Sequence, residues 1–170
     1  PIIECIDFVG MTKVDIEKSI KRWGDPNAAK RGSKSQKKMY GSHGNGGKFY
    51  MRQMFKESHF ITYKEGTLNI FGFSPNKKYG FAKGYEEKKM SPKQALEFAE
   101  ISSIIPPETK KKIVAGTTGF TVVQGIGPEG IKSKFKLVKD IERLKNHPQS
   151  RRILSRTSVD VLYNGHVFVS

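Results

Sequence analysis

Apolar and polar positions change their period several times along the chain, and each change predicts an element. Residues 1–7 are mostly apolar, with Ile2, Ile3, Cys5 and Ile6, and predict a strand that ends on Asp7. Thr12 with Asp15 three residues later is a capping-box pattern that opens a helix. Val14, Ile16, Ile20 and Trp23 fall on one face of that helix, and Gly24-Asp25-Pro26 ends it. A second helix is predicted over about Lys48 to Lys56. Alternating runs at 59–63 and 67–73, joined by Glu65-Gly66, predict a hairpin, and 79–81 a further strand. Ser91-Pro92-Lys93-Gln94 combines a cap, a proline at the first helical position and a box residue, and so starts a helix that runs to about Glu100. Pro106-Pro107 breaks the chain before a short basic helical turn. A β-branched and aromatic strand follows at 120–124, then a basic helix at 132–146 with Phe135, Val138, Ile141 and Leu144 on one side. At the end, Asn164-Gly165 between two alternating runs, 159–163 and 166–169, is a type I′ hairpin signal.

These elements do not alternate as strict βαβ units. They predict an α+β fold, a largely antiparallel or mixed sheet with helices packed on one face. No apolar run reaches the roughly 20 residues that cross a bilayer, so no membrane partner is expected. Cys5 is the single cysteine, which excludes an intramolecular disulfide and fits a reducing, cytoplasmic setting. Its apolar neighbours predict a buried thiol.

Charge changes this picture. The 170 residues carry 31 Lys+Arg against 16 Asp+Glu, a net charge of +15. A field of that sign attracts polyanions, whether nucleotide phosphates, nucleic acid or acidic membranes, and charge alone does not choose among them. Part of it falls in residues 24–43, rich in Gly, Ser, Lys and Arg and nearly without aliphatic side chains. That stretch is longer than a plain connector and reads as a mobile basic lid or binding loop.

Directly after it comes Tyr40-Gly41-Ser42-His43-Gly44-Asn45-Gly46-Gly47-Lys48, leading into the predicted second helix. Closely spaced glycines let backbone N–H groups approach a phosphate without Cβ interference. The helix start adds its unpaired N–H groups and dipole, and Lys48 a full charge. A Walker A loop is excluded, because Ser42 stands where its first glycine belongs and Phe49 replaces the metal-binding hydroxyl.

The spacing of Gly41, Gly44 and Gly46 resembles the second glycine box, G-x-x-G-x-G, of the GHKL ATPases, the superfamily of gyrase, the ninety-kilodalton heat-shock chaperones, histidine kinases, mismatch-repair ATPases and the MORC group. Upstream, Asp7-Phe8-Val9-Gly10-Met11 looks like a one-residue-shorter form of that family's first box, D-x-G-x-G-M. Trp23 to Gly32 occupies the place of the lid segment, and Gly116-Thr117 entering the strand at Phe120 resembles the last motif. The likeness spans about residues 2–124 and lies mainly in the order of these pieces.

The resemblance implies a Bergerat-like two-layer domain over residues 1–130, with 131–170 as a basic helix and hairpin extension. It implies Mg-ATP as ligand, with Asp7 accepting the adenine amino group while Gly10 and Met11 shape the base pocket. Gly41, His43, Gly44, Asn45, Gly46, Gly47 and Lys48 would surround the phosphates, Asn27 and Lys30 would come from the lid, and Thr117 from the last motif. Lid closure would reorganise a partner domain or a second copy of the chain. The family's N-box helix, E-x-x-x-N, carries the Mg²⁺ ligand and the general base and lies before the first box. Only six residues precede Asp7, so the expectation is that the chain lacks this helix and turns over no ATP alone.

An alternative remains open on the sequence: a basic nucleic-acid-binding domain, or an ATPase module that acts on nucleic acid. It draws on the charge and on aromatics interleaved with basic residues, as in Lys48-Phe49-Tyr50-Met51-Arg52 and His59-Phe60-Ile61-Thr62-Tyr63-Lys64. The four histidines are scattered, and with one cysteine they form no zinc pattern.

Overall fold

A computed structural model describes residues 2–19, 51–53, 55–128, 142–143, 145–155, 162–163 and 166–167. The fold is α+β, built on an open antiparallel sheet of six strands. In chain order these are β1 (Ile2–Asp7), β2 (Phe55–Lys64), β3 (Thr67–Phe73), β4 (Tyr79–Phe81), β5 (Lys88–Lys89) and β6 (Phe120–Pro128). Their spatial order is β1-β6-β2-β3-β4, with β5 also paired to β3. The last long strand in sequence is therefore inserted between the first two.

The β2–β3 hairpin turns at Glu65 and Gly66, both at positive φ (51° and 79°), so that Lys64 faces Thr67. Positive φ at both central residues matches the right-handed twist of the strands. Alternation then sorts the side chains onto two faces. Ile61, Tyr63, Leu68, Ile70, Phe120 and Val122 share one face and are buried. Helices α2 (Pro92–Ala99) and α3 (Pro107–Val114) cover it with Ala95, Leu96, Ala99 and Ile113, joined by Ile101 and Ile105 from the connection between them. Each large apolar side chain in this layer contributes roughly 1.5–3 kcal/mol through burial.

Helix α2 starts as its sequence predicts. The Ser91 hydroxyl accepts the Gln94 N–H at 3.2 Å, and the Gln94 side chain accepts the Ser91 N–H at 3.0 Å. Tyr63 stacks on Phe120 at 5.8 Å between ring centres and donates its hydroxyl to the Met90 carbonyl at 2.8 Å.

The opposite sheet face is also covered. Phe71, Phe73, Tyr79 and Phe81 form an aromatic cluster at its β4 end, with ring centres 4.5–5.0 Å apart. Residues 51–53 are helical, and the Ser58 hydroxyl donates to the Met51 carbonyl at 3.0 Å. Helix α1 (Lys13–Lys18) lies toward the other end of this face, with Ile16 fully buried.

Several expectations are corrected in detail. Val14 is 52% exposed, so the buried side of α1 among the described residues is Ile16. Cys5 is exposed: β1 is the edge strand, and Cys5 alternates away from Ile6, which packs on the α2–α3 core. The second predicted helix overruns, because β2 begins at Phe55, where pairing with β6 (Phe55 to Pro128, Glu57 to Ile126) overrides local helical preference. Strand β6 extends four residues past the expected end, to Pro128.

Toward the C-terminus, α4 (Pro148–Leu154) was not expected, and residues 142–143 and 145–146 are helical within the predicted basic helix. A short hairpin, β7 (Leu162–Tyr163) with β8 (His166–Val167), pairs Tyr163 with His166, the register of a two-residue connection. No helix among the described residues is long and apolar enough to cross a membrane.

His59 lies on the helix-covered face of β2, and its burial holds the imidazole below the ordinary 6.5, although Glu57 nearby pulls the other way. The unfolded chain takes up a proton near pH 6.5 while the folded chain resists it. Stability present above that pH should therefore be lost as pH falls toward the folded value. The drop in urea midpoint between pH 7.5 and pH 5.5 should shrink in His59→Gln, and an unchanged drop would assign the acid sensitivity elsewhere.

Candidate functional site

One end of the sheet gathers the pieces that the sequence analysis had kept apart. Strand β1 ends on Asp7, and the chain then turns through Phe8, Val9, Gly10 and Met11 into α1. Gly10 is buried at φ +75°, and a Cβ there would collide with the Tyr63 carbonyl oxygen in β2. Gly119, at the entry to β6, meets the same oxygen from another side, and its Cβ would also lie 3.2 Å from the Val9 carbonyl. Two glycines more than a hundred positions apart thus allow two loops to close on one point of β2.

Hydrogen bonds hold that convergence. The Thr118 hydroxyl donates to the Phe8 carbonyl. The Val9 N–H donates to Asp7 Oδ1 at 3.1 Å, which fixes one oxygen of an otherwise exposed carboxylate. The Met11 N–H donates to Thr62 Oγ1 at 2.7 Å.

Beneath the loop runs a polar row. Asp7, Thr121, Thr62 and Asn69 stand directly opposite one another in β1, β6, β2 and β3. Directly opposed side chains share a face, here the face away from α2 and α3. Thr121, Thr62 and Asn69 are buried. The two threonine hydroxyls lie 2.9 Å apart, and Thr62 Oγ1 also lies 3.3 Å from the Phe120 carbonyl. Asn69 accepts the Glu87 N–H at 2.7 Å, while its amide nitrogen is buried without a partner among the described residues. A buried polar group costs free energy unless it is hydrogen-bonded. Another polar row of the sheet, Glu4, Gln124 and His59, is at most partly buried, so a buried row of this kind marks this end as different.

Charges frame α1. Lys13 pairs with Glu86 at 2.7 Å, a hydrogen bond that raises the ammonium pKa. Partial burial pushes the Asp15 carboxyl up, but hydrogen bonds from Thr12 and the Lys64 ammonium at 3.7 Å outweigh it and leave it below its ordinary value. The capping box of Thr12 and Asp15 is formed in both directions.

The structure brings Asp7, Gly10 and Met11 together. It turns Thr117 toward the C-terminal end of α3, where its hydroxyl donates to the Lys112 carbonyl at 2.9 Å. The neighbouring Thr118 makes the link to the first loop instead. Asn27, Lys30, Gly41, His43, Gly44, Asn45, Gly46, Gly47 and Lys48 lie outside the described residues. Thr62 and Thr121 were not singled out by sequence reasoning. Each is a threonine between large apolar neighbours in a strand, a visible sign that it faces away from them, but their meeting depends on β6 lying beside β2.

No group of three or more His, Cys, Asp or Glu side chains that could hold a metal occurs among the described residues. For an adenine base the fit is better: an exposed carboxylate with one oxygen fixed, beside a loop whose backbone is held from below.

Replacing Gly10 by Ala imposes a left-handed backbone on an L-residue, about 1–2 kcal/mol, and adds the collision with Tyr63. Gly84, at φ +83° with open space around it, isolates the backbone part. Urea unfolding should show a larger loss for Gly10→Ala than for Gly84→Ala; equal losses would mean that the Tyr63 carbonyl moves aside freely. No protein-family model matches the sequence, and comparison with curated proteins and with solved structures likewise finds no match.

Proposed function

We propose that the chain is the ATP-binding module of an ATP-gated protein of the GHKL type. The observation that carries this reading is the closure of the Asp7–Met11 loop against the Thr118–Gly119 turn at one end of an antiparallel sheet. In the resemblance the loop is the first glycine box, and the turn directly follows the Gly116-Thr117 of the last motif; both would border the nucleotide. Asp7 would accept the adenine amino group, with Gly10 and Met11 forming the wall of the base pocket. The glycine-rich segment, with Gly44, Gly46 and Lys48, would hold the phosphates, and the basic stretch containing Asn27 and Lys30 would close over them. Bound Mg-ATP supplies the polyphosphate charge that such a lid answers. A change of lid position on binding is the output this arrangement suits, acting on a partner domain or a second copy.

Nucleic-acid binding is the second reading. It keeps the support of the +15 charge and of the exposed Lys110, Lys111 and Lys112 on α3. Of the aromatics interleaved with basic residues, Tyr63 is 3% exposed and serves the core, Phe60 is half-buried, and Phe49 and Tyr50 lie outside the described residues.

The base preference tests the first reading. Guanine presents a carbonyl where adenine presents its amino group, so the Asp7 carboxylate would face an acceptor. A hydrogen bond to a charged group is worth about 1.5–3 kcal/mol, or roughly 10- to 100-fold in affinity. Calorimetry should show ATP bound more tightly than GTP, and Asp7→Asn should weaken ATP by a factor in that range and reduce the preference. Equal affinities of the unaltered chain for both nucleotides would overturn the assignment of Asp7.

A further inference from the structure

We infer that Thr62, a residue of β2 buried beneath the Asp7–Met11 loop, is a positioning residue that sets nucleobase discrimination without touching the base. The inference rests on the adenine-reading role proposed for Asp7.

The Asp7–Met11 loop is held at three points. Thr118 takes the Phe8 carbonyl, Asp7 itself takes the Val9 N–H, and Thr62 takes the Met11 N–H at 2.7 Å. The Asp7 carboxylate is exposed, whereas Thr62 is fully buried and holds the loop from the sheet interior. Thr62 is also the directly opposed neighbour of Thr121, and Thr121 that of Asp7. One side chain therefore reaches both ends of the motif: the loop's exit through Met11, and the strand beside Asp7 through Thr121.

Its hydroxyl has little freedom. A threonine oxygen offers one proton and two lone pairs. The Met11 N–H occupies one lone pair, and the proton has the Thr121 oxygen at 2.9 Å and the Phe120 carbonyl at 3.3 Å as acceptors. If the proton goes to Thr121, the Thr121 proton is released to donate elsewhere. If it goes to Phe120, the Thr121 hydroxyl donates to Thr62. Either way, the orientation of Thr121 is set by Thr62, in a site where an unmade hydrogen bond is costly. Valine has nearly the shape of threonine but no oxygen. It would leave the Met11 N–H and the Thr121 hydroxyl unanswered while filling the same space. The loop would then be free to shift relative to β1, and the Val9 N–H that aims Asp7 would shift with it.

The test measures ATP and GTP affinity by calorimetry for the unaltered chain, Thr62→Val and Thr62→Ser, with the urea midpoint of each. Serine keeps the oxygen and should hold the ATP-to-GTP ratio within about threefold of the unaltered chain. Valine should lower that ratio by about tenfold or more, with most of the loss on the ATP side. Thr62→Val with the unaltered ratio, whatever its stability, would overturn the inference and leave the Asp7 reading intact. An unaltered chain with no preference for ATP would overturn the Asp7 reading and this inference with it. Should Thr62→Val fail to fold, Thr62→Cys serves instead, because its sulfur is a weak acceptor. A ratio for Thr62→Cys equal to that of Thr62→Ser would overturn the inference, and one below it would support it.

Discussion

The structure depends on the two hydrogen-bond ladders that β6 makes. It pairs antiparallel with β1 from Ile2–Ile126 to Asp7–Thr121, and with β2 from Phe55–Pro128 to Tyr63–Phe120. Every strand edge must pair, meet water or be covered, and β6 satisfies one edge of each neighbour at once. The partners in the β1–β6 ladder lie more than a hundred residues apart in sequence. Closing such a loop costs more entropy than a hairpin, though the cost grows only slowly with length. The apolar row Ile6–Val122–Ile61–Ile70, which the two ladders bring side by side, offsets that cost under α2 and α3.

The same ladders create the polar row. A register that places Val122 and Ile61 against the helices must place Thr121 and Thr62 on the other side, because side chains alternate. A slip of β6 by one residue would put Thr121 into the apolar core and Val122 out of it. Core formation and the assembly of the candidate site are therefore one event. The polar row tolerates burial because Thr62 bonds Thr121 and the backbone of the loop above, and Asn69 accepts the Glu87 N–H. Among the described residues, the amide nitrogen of Asn69 is the exception, at the end of the row farthest from Asp7.

The glycines contribute by what they lack. Gly10 and Gly119 approach the Tyr63 carbonyl from two directions, and side chains at either position would hold the loops apart. The ring of Tyr63 stands on the opposite, helix-covered side, stacked on Phe120 and bonded to Met90. One residue thus anchors the core with its side chain and receives the two loops at its backbone. This couples the packing of α2 to the position of the Asp7 loop.

By itself, the sequence determined the local elements whose signals lie within a few residues: the Thr12–Asp15 and Ser91–Gln94 capping boxes, the Glu65-Gly66 turn and the α+β class. These follow from short-range hydrogen bonding and backbone preference, which neighbours in the chain settle. Through the resemblance to the first glycine box it also grouped Asp7, Gly10 and Met11, which lie within five residues of chain. Tertiary structure decided what no local pattern holds. It inserted β6 between β1 and β2, began β2 at Phe55 where local preference favoured helix, and left Cys5 at an exposed edge. It turned Thr117 to the end of α3 and gave its expected neighbour, Thr118, the bond to Phe8. It brought Thr62 and Thr121 together from 59 positions apart. The physical reason is common to all of these: each outcome depends on which strand lies next to which, and that is set by hydrogen-bond ladders and burial summed over the whole sheet.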